Sequence, residues 1–369
     1  YPYGDLVLSE ERHSQDGRNY KLNWRFDIYA MGEKSRNIVY VNAIDGSISY
    51  TKTGIHSDVA YGTAETRYHG IQDIITDSTG ASVQDFILFD DTRGNGGIRT
   101  LDALNGYDYT EAVNFTDDDN YWDETANSDN AAYDVHWSAE MTYDYFLEMH
   151  DRNSWNGSGA LIMCLVHYGE NYNNASWDGT SLNFGDAGGN PYASIDVVAH
   201  EFSHAVTSST ADLEYSYESG ALNESFSDIF GNAVEHFAYE EEFSWDIGIL
   251  NFKFRDMADP NSEGQPDTYL GDMWWTSEGD NGGVHFNSGV QNHWFYLLSE
   301  GGSGVNDNGL SYELDGIGIE DAGKVEYRNL EFYLTSTSEY NDAWMGSVSA
   351  AEDVFGTCSN EVRETIKAW

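Results

Sequence analysis

The sequence predicts an α+β protein of two lobes, a mainly β N-terminal lobe followed by a mainly α C-terminal lobe, with a small β-rich segment in front. Three observations lead there. Charge is balanced over residues 1–55 and strongly acidic beyond; short apolar runs broken by Gly, Asn and Asp fill residues 56–194; apolar residues recur at helical spacing over residues 195–369.

The charge step marks the first boundary. Residues 1–55 hold seven basic and seven acidic side chains, so the net −47 of the 369-residue chain belongs entirely to the remainder. Within the neutral segment, Leu22, Trp24, Phe26 and Ile28 alternate with polar residues. Ile38-Val39-Tyr40-Val41 comes next, then Asp45-Gly46, then Ile48 and Tyr50. This pattern predicts three strands, the last two joined by a tight Asp-Gly turn. So short a unit is marginal alone and should pack on the acidic body of the chain.

In residues 56–194, Phe86-Ile87-Leu88-Phe89 reads as a short strand and Arg93-Gly94-Asn95-Gly96-Gly97 as a turn. One helix interrupts, because Tyr133, Trp137, Met141, Tyr145 and Met149 recur every four residues. From Ile195 onward, the stretches through Val206, Ala221–Phe237, Val290–Leu298, Gly323–Tyr333 and Trp344–Val354 suit helices closed by Gly, Ser or Asn.

Composition excludes several classes. Hydrophobic residues at 40% and aromatics at 15% are too many for a disordered chain. The longest apolar run, Ala160–Val166, falls far short of a membrane-spanning helix. So acidic a body repels nucleic acid and anionic membranes. The acidity reads either as a solvated surface or as adaptation to high salt, where screening relieves self-repulsion. Cys164 and Cys358 form no Cys-x-x-Cys pair, and no disulfide between them is expected. Tyr1 follows neither an initiator Met nor a leader, which implies a removed signal peptide or a trimmed start.

The chemistry centres on His200-Glu201-Phe202-Ser203-His204. On a helix, imidazoles four residues apart share a face and can grip one ion. The pentapeptide alone is a weak signal. A catalytic zinc needs a third protein ligand and an open fourth position. Glu224, in Asn223-Glu224-Ser225-Phe226-Ser227-Asp228 on the next predicted helix, supplies that ligand, and Asp228 lies one turn further on.

Here the sequence resembles the thermolysin-like zinc metalloprotease family, the gluzincins. The motifs are Asp91 to Gly96, Thr142-Tyr143-Asp144-Tyr145, Val166-His167-Tyr168, Tyr172-Asn173-Asn174-Ala175-Ser176-Trp177, Ile195 to Val206, Glu218 to Glu224 and Asp280-Asn281-Gly282-Gly283-Val284-His285. They run in family order over residues 60–365. The resemblance implies a zinc helix at the floor of a cleft between the lobes, and hydrolysis of internal peptide bonds. His200, His204 and Glu224 would hold one zinc, and Glu201 would take a proton from the attacking water and pass it to the leaving amine. Tyr215 and His285 would donate to the oxyanion, with Asp280 orienting His285. Asp228 would hold the His200 ring and Asn223 the other ligand ring. Asn174 and the Ala175 backbone, with Trp177 nearby, would pair with extended substrate as an added strand. Arg255 would hold the carbonyl after the scissile bond, a structural salt bridge being the alternative. Val197, Ile247 and Phe254 would line a pocket for a bulky apolar residue after that bond, or simply pack the core.

The same resemblance implies calcium, with departures. Asp196 and Glu235 match family ligands, but Ser244 and Ile249 stand where acids are usual. One calcium held by Asp196, Glu235, a carbonyl near Asp246 and Glu242 is therefore expected. A second at Asp117 and Asp119 competes with a plain solvated loop. A further calcium loop is missing between Ile249 and Phe252. Residues 1–55 resemble the end of a propeptide, with the enzyme proper starting near His56 or Ser57; whether they are cleaved, bound or a permanent cap stays open. The expected partners are extended or unfolded proteins and this propeptide, for a secreted monomer. Rival readings are a zinc-binding but inactive secreted module, a blocked precursor, and an aminopeptidase, for which the Gly-x-Met-Glu-Asn sequence is missing.

Overall fold

The computed structural model describes residues 4–10, 20–29, 35–55, 58–79, 86–239, 243–248, 250 and 253–369. The first four strands, β1 (Gly4–Glu10), β2 (Tyr20–Tyr29), β3 (Ser35–Asn42) and β4 (Ile48–Ile55), make a sheet of their own, antiparallel and in chain order. The Asp-Gly turn joins β3 to β4. Gly46 takes φ +73°, and Asp45 Oδ1 accepts from the Ser47 amide at 2.9 Å, which is why this dipeptide sits there. β1 escapes the alternation test because its apolar residues Leu6-Val7-Leu8 are contiguous.

The next lobe contains β5 (Asp58–Glu65), β6 (Ile71–Ser78), β7 (Phe86–Ile87), β8 (Phe89–Asp90), β9 (Ile98–Asp102), β10 (Val113–Asn114), β11 (Thr116–Asp117), β12 (Tyr121–Trp122), β13 (Ile162–Val166), β14 (Ala175–Trp177) and β15 (Leu182–Phe184), interrupted by helix α1 (Asn130–His150). One sheet has the order β11-β7-β6-β5-β12 and the other β10-β9-β13-β15-β14, with β8 on β9. The apolar run 86–89 is thus two strands, since the chain changes sheets at Leu88. β14 ends its sheet, so among the described residues its outer edge is open to an added strand.

The last lobe runs α2 (Ile195–Ser208), α3 (Tyr217–Ala238), β16 (Asp246–Ile247), β17 (Arg255–Asp256), α4 (Asp280–Asn287), α5 (Gly289–Glu300), β18 (Gly301–Val305), β19 (Ser311–Asp315), α6 (Ile319–Phe332), α7 (Tyr340–Phe355) and α8 (Asn360–Ala368). The lobes share an apolar core. Phe146 of α1 lies 5.3 Å, ring to ring, from Phe202 of α2 and 5.2 Å from Phe230 of α3. Gly231 lets α3 approach α2, for a Cβ there would sit 2.8 Å from the Asp196 carbonyl oxygen. That close approach sets Glu224 over the imidazoles of α2. No helix among the described residues is long and apolar enough to cross a membrane.

Glu326 on α6 is fully buried, and burial pushes its carboxyl up to about 8 against the weaker pull of Asn329. A folded value above the unfolded one means its stabilising contribution is complete below about pH 4.5 and is lost as pH rises through 8. Glu326→Gln should therefore raise the melting temperature by about 5 °C at pH 8.5 and by nothing at pH 4. Calorimetry at the two pH values checks this; an equal shift at both refutes it.

Candidate metal centre and cleft

α2 is apolar on the face that enters the core and carries His200, Glu201 and His204 toward a cleft of about 670 Å³. Asn174, Ala175, Ser176 and Trp177 form one wall; Val197, Tyr192, Ile247 and Phe254 line another part, with Tyr215, Arg255 and His285. Tyr192 and Ser176 apart, these are sequence-predicted residues, and the structure brings them to one place.

The two rings are held from behind. His200 Nδ1 lies 2.9 Å from Asp228 Oδ1, and His204 Nδ1 lies 2.8 Å from Asn223 Oδ1. Asn223 spends its amide nitrogen on the Leu213 carbonyl at 3.1 Å, so its oxygen faces the ring. Both partners are acceptors, both Nδ1 atoms therefore donate, and in the neutral rings that a metal requires both Nε2 atoms keep a lone pair. Those Nε2 atoms face each other at 3.1 Å, with Glu224 carboxylate oxygens 3.5 Å from His200 and 3.4 Å from His204. Ligands at about 2.0–2.1 Å around a tetrahedral zinc are spaced by about 3.3 Å. The three donors fit that ion.

Electrostatics agree. Burial opposes protonation of His204, yet the hydrogen bond and charge of Glu224 raise it to about 9. Burial alone would raise Glu224, but His204, His200 and His285 hold it well below the carboxylate range. This pocket wants a positive charge, from a proton or a metal. Glu201 goes the other way: burial raises its carboxyl, with Glu224 adding to that and the two histidines opposing. A carboxylate with raised proton affinity beside a metal seat is suited to general-base work.

Across the cleft, Tyr215 hydroxyl contacts Glu224 Oε1 and lies 3.1 Å from His285 Nε2. Asp280 accepts from the other side of the His285 ring at 2.7 Å and from the His285 amide at 2.9 Å. Asp280, Asn281, Gly282 and Gly283 all have positive φ, and this turn brings the carboxylate back over the ring five residues later. Arg255 takes up the salt bridge and also stands in the cleft. It lines the cleft while its guanidinium forks onto Asp228 at 2.7 and 2.6 Å.

The proposed calcium ligands are less gathered. Asp196 Oδ1 accepts from the Val197 amide at 2.9 Å, and its other oxygen accepts from the Gly248 amide. Lys253 takes the Asp246 carboxylate at 2.9 Å. Among the described residues the oxygens of Asp196, Glu235 and Asp246 do not draw within 4.8 Å of one another, whereas those of Asp117, Asp118 and Asp119 do. In the latter group Asp117 Oδ1 also accepts from the Asp119 and Asn120 amides at 3.0 and 2.6 Å. Glu242, Ile249, His56 and Ser57 lie outside the described residues.

Three residues escaped the sequence reading. Asn292 donates to Asp228 Oδ2 at 2.8 Å and accepts from Ser225 at 2.7 Å. A polar residue at a buried position of an apolar helix was its available signal. Tyr192 stacks on Phe254 at 5.8 Å in the cleft wall. His69 Nε2 accepts the Ile195 amide at 3.1 Å, capping the metal helix from 126 residues away. A lone histidine at that separation leaves no trace in sequence.

A helix-borne pair of imidazoles, a carboxylate from the next helix and an open cleft have the donor set and spacing that suit a three-ligand metal centre. Residues 61–208 match the family described as thermolysin metallopeptidase, catalytic domain, and residues 211–369 match thermolysin metallopeptidase, alpha-helical domain. The chain belongs to the thermolysin metallopeptidase family. It is 42% identical over 291 residues to bacillolysin of Brevibacillus brevis, covering 77% of this chain and 52% of that protein. It is 41% identical over 294 residues to thermolysin of Alicyclobacillus acidocaldarius, with the same coverage of 77% and 52%. The chain thus spans about half the length of these curated relatives. Among solved structures, the precursor of protealysin, a metalloproteinase from Serratia proteamaculans, superposes with TM-score 0.61 at 30% identity, covering 75% of this chain and 87% of that one.

Proposed function

We propose that this chain is a secreted zinc endopeptidase that cuts internal bonds of extended or unfolded proteins, ahead of bulky apolar residues. The observation that carries it is the pair of opposed Nε2 lone pairs closed by Glu224, with Glu201 beside them and the edge of β14 alongside. Held by His200, His204 and Glu224, zinc would polarise the scissile carbonyl and acidify water. Glu201 accepts the proton of the attacking water and returns it to the leaving amine. Tyr215 and His285, the latter held by Asp280, donate to the developing oxyanion, and Arg255 to the carbonyl beyond the bond. Asn174, Ala175 and Trp177 pair with the substrate backbone, which makes few demands on sequence. Val197, Ile247 and Phe254, with Tyr192, receive the apolar side chain.

Residues 1–55 are read as the end of a propeptide and residues 56–194 and 195–369 as the two catalytic lobes. The separate four-stranded sheet and the likeness to a precursor support this. Secretion is supported by family membership. Mass spectrometry of casein digested with and without 1,10-phenanthroline tests the whole reading and reports the state of the 55-residue junction. Cuts ahead of Leu, Phe or Ile that vanish with chelator and return with zinc support it; chelator-resistant cutting refutes it.

Calcium completes the proposal, one ion at Asp196, Glu235, a carbonyl near Asp246 and Glu242, and a weaker one at Asp117 and Asp119. Burial, with Asp196 and Asp246 as neighbours, pushes Glu235 up to about 9, and its Oε2 has no hydrogen-bond partner among the described residues. Charge repulsion of that kind is relieved by a cation. A calcium chelator should lower the melting temperature by about 5 °C and shorten thermal half-life, and Glu235→Gln should erase the response. An unchanged half-life in chelator counts against these ligands.

A further inference from the structure

The cleft uses Asn174 to Trp177 but leaves three tyrosines that lead away from it. Tyr172 hydroxyl donates to Ser176 Oγ at 3.2 Å, and Ser176 lines the cleft. Tyr172 meets Tyr168 edge to face, centroids 5.4 Å apart and planes at 79°, and Tyr168 meets Tyr107 likewise at 5.3 Å and 86°. This is the favoured geometry for aromatic pairs. The row is anchored from below. Tyr168 packs on Leu101, Ala103 and Leu165, and the Tyr107 loop is tied down by Asn105 amide to His167 carbonyl and Gly169 amide to Gly106 carbonyl, each 2.9 Å. Two glycines leave room for the outer rings: a Cβ on Gly169 would sit 2.6 Å from the Tyr107 ring, and one on Gly185 would sit 2.8 Å from the Tyr172 ring. Even so, Tyr107 remains 62% exposed. A fixed aromatic row, half-buried at Tyr168 and Tyr172 and open at Tyr107, is an apolar surface that nothing among the described residues covers at its outer end.

Topology says what reaches it. Ala175 pairs with Phe184, Phe184 with Val166, and Val166 with Asp102. Residues 103–109 and 167–174 therefore share the end of the sheet at which β14 begins. A polypeptide paired along the outer edge of β14 leaves the sheet past Asn174 at that end, where Tyr172 stands first.

We infer that Tyr172, Tyr168 and Tyr107 form an extended subsite for the polypeptide substrate, receiving aromatic or apolar side chains several residues from the scissile bond. This rests on the proposed peptidase reading and adds to it a preference for long substrates. The test uses two fluorogenic peptides with one central sequence, of four and of ten residues, the longer bearing Phe near both ends. The wild type should favour the longer peptide in kcat/KM by about tenfold, and Tyr107→Ser should cut that preference about fivefold, chiefly through KM, while Tyr107→Phe restores it. An equal preference in wild type and Tyr107→Ser, or none in wild type, overturns the inference. Fluorescence anisotropy of the labelled ten-residue peptide on the same variants, in a zinc-loaded Glu201→Gln background, reads the subsite without turnover. Weaker binding by Tyr107→Ser supports the subsite and equal binding overturns it. Absence of cutting of either peptide by the wild type counts against the peptidase reading alone.

Discussion

Glu201→Gln should retain zinc and lose about 10²–10⁴ of kcat. Glutamine is nearly isosteric, and none of the contacts that hold His200, His204 or Glu224 passes through Glu201. The metal seat should therefore survive. What goes is the base: burial gives the Glu201 carboxyl raised proton affinity, and an amide has none to offer. The expected result is unchanged zinc stoichiometry by metal analysis, KM within a few-fold of wild type, and the loss confined to kcat. Activity within tenfold of wild type would falsify the assignment of the base. A variant that also lost zinc would show instead that Glu201 supports the metal, which its position off the ligand triangle argues against.

How much of this was legible in sequence depends on the distance over which each signal acts. Helix α1 announced itself because Tyr133, Trp137, Met141, Tyr145 and Met149 repeat on one face. Helix α2 was visible for the same reason, since His200 and His204 fall one turn apart. α4 was not, because Asn281, Gly282 and Gly283 are twisted out of helical φ and carry no periodic apolar residue. The hairpin β18–β19 opens on Gly301-Gly302-Ser303-Gly304, which lacks the branched side chains that mark strands. At the site, ligand types came from chemistry, whereas the second contact of each residue did not. That Arg255 both faces the cleft and neutralises Asp228 needed the β16–β17 pair, with β16 laid beside α3. Sequence left a substrate contact and a salt bridge as alternatives; the salt bridge is present, and the guanidinium that makes it still lines the cleft.

That shared carboxylate leads to the largest expected effect on stability. Asp228 is fully buried and carries His200, both nitrogens of the Arg255 fork and the Asn292 amide. Burial would raise its carboxyl, but Arg255 and His200 prevail and hold it down to about 2. Its contribution is therefore present above the unfolded value near 3.8 and lost as pH falls through 2. Asp228→Asn removes the charge and strands the Arg255 guanidinium, which should cost about 3–5 kcal/mol. It should also weaken zinc binding by about 10–100-fold, because the His200 ring loses the anion that raises its basicity. The two effects are separable. Arg255→Met alone should also destabilise, by leaving Asp228 without its main counter-ion, but the double variant should recover most of the stability because no unpaired buried charge remains. Zinc affinity should stay low in the double variant, since His200 still faces an amide. Urea melts and zinc competition on the four proteins of this cycle decide the matter. If the double variant recovers zinc affinity together with stability, Asp228 serves the fold alone, and the orientation of His200 is set elsewhere.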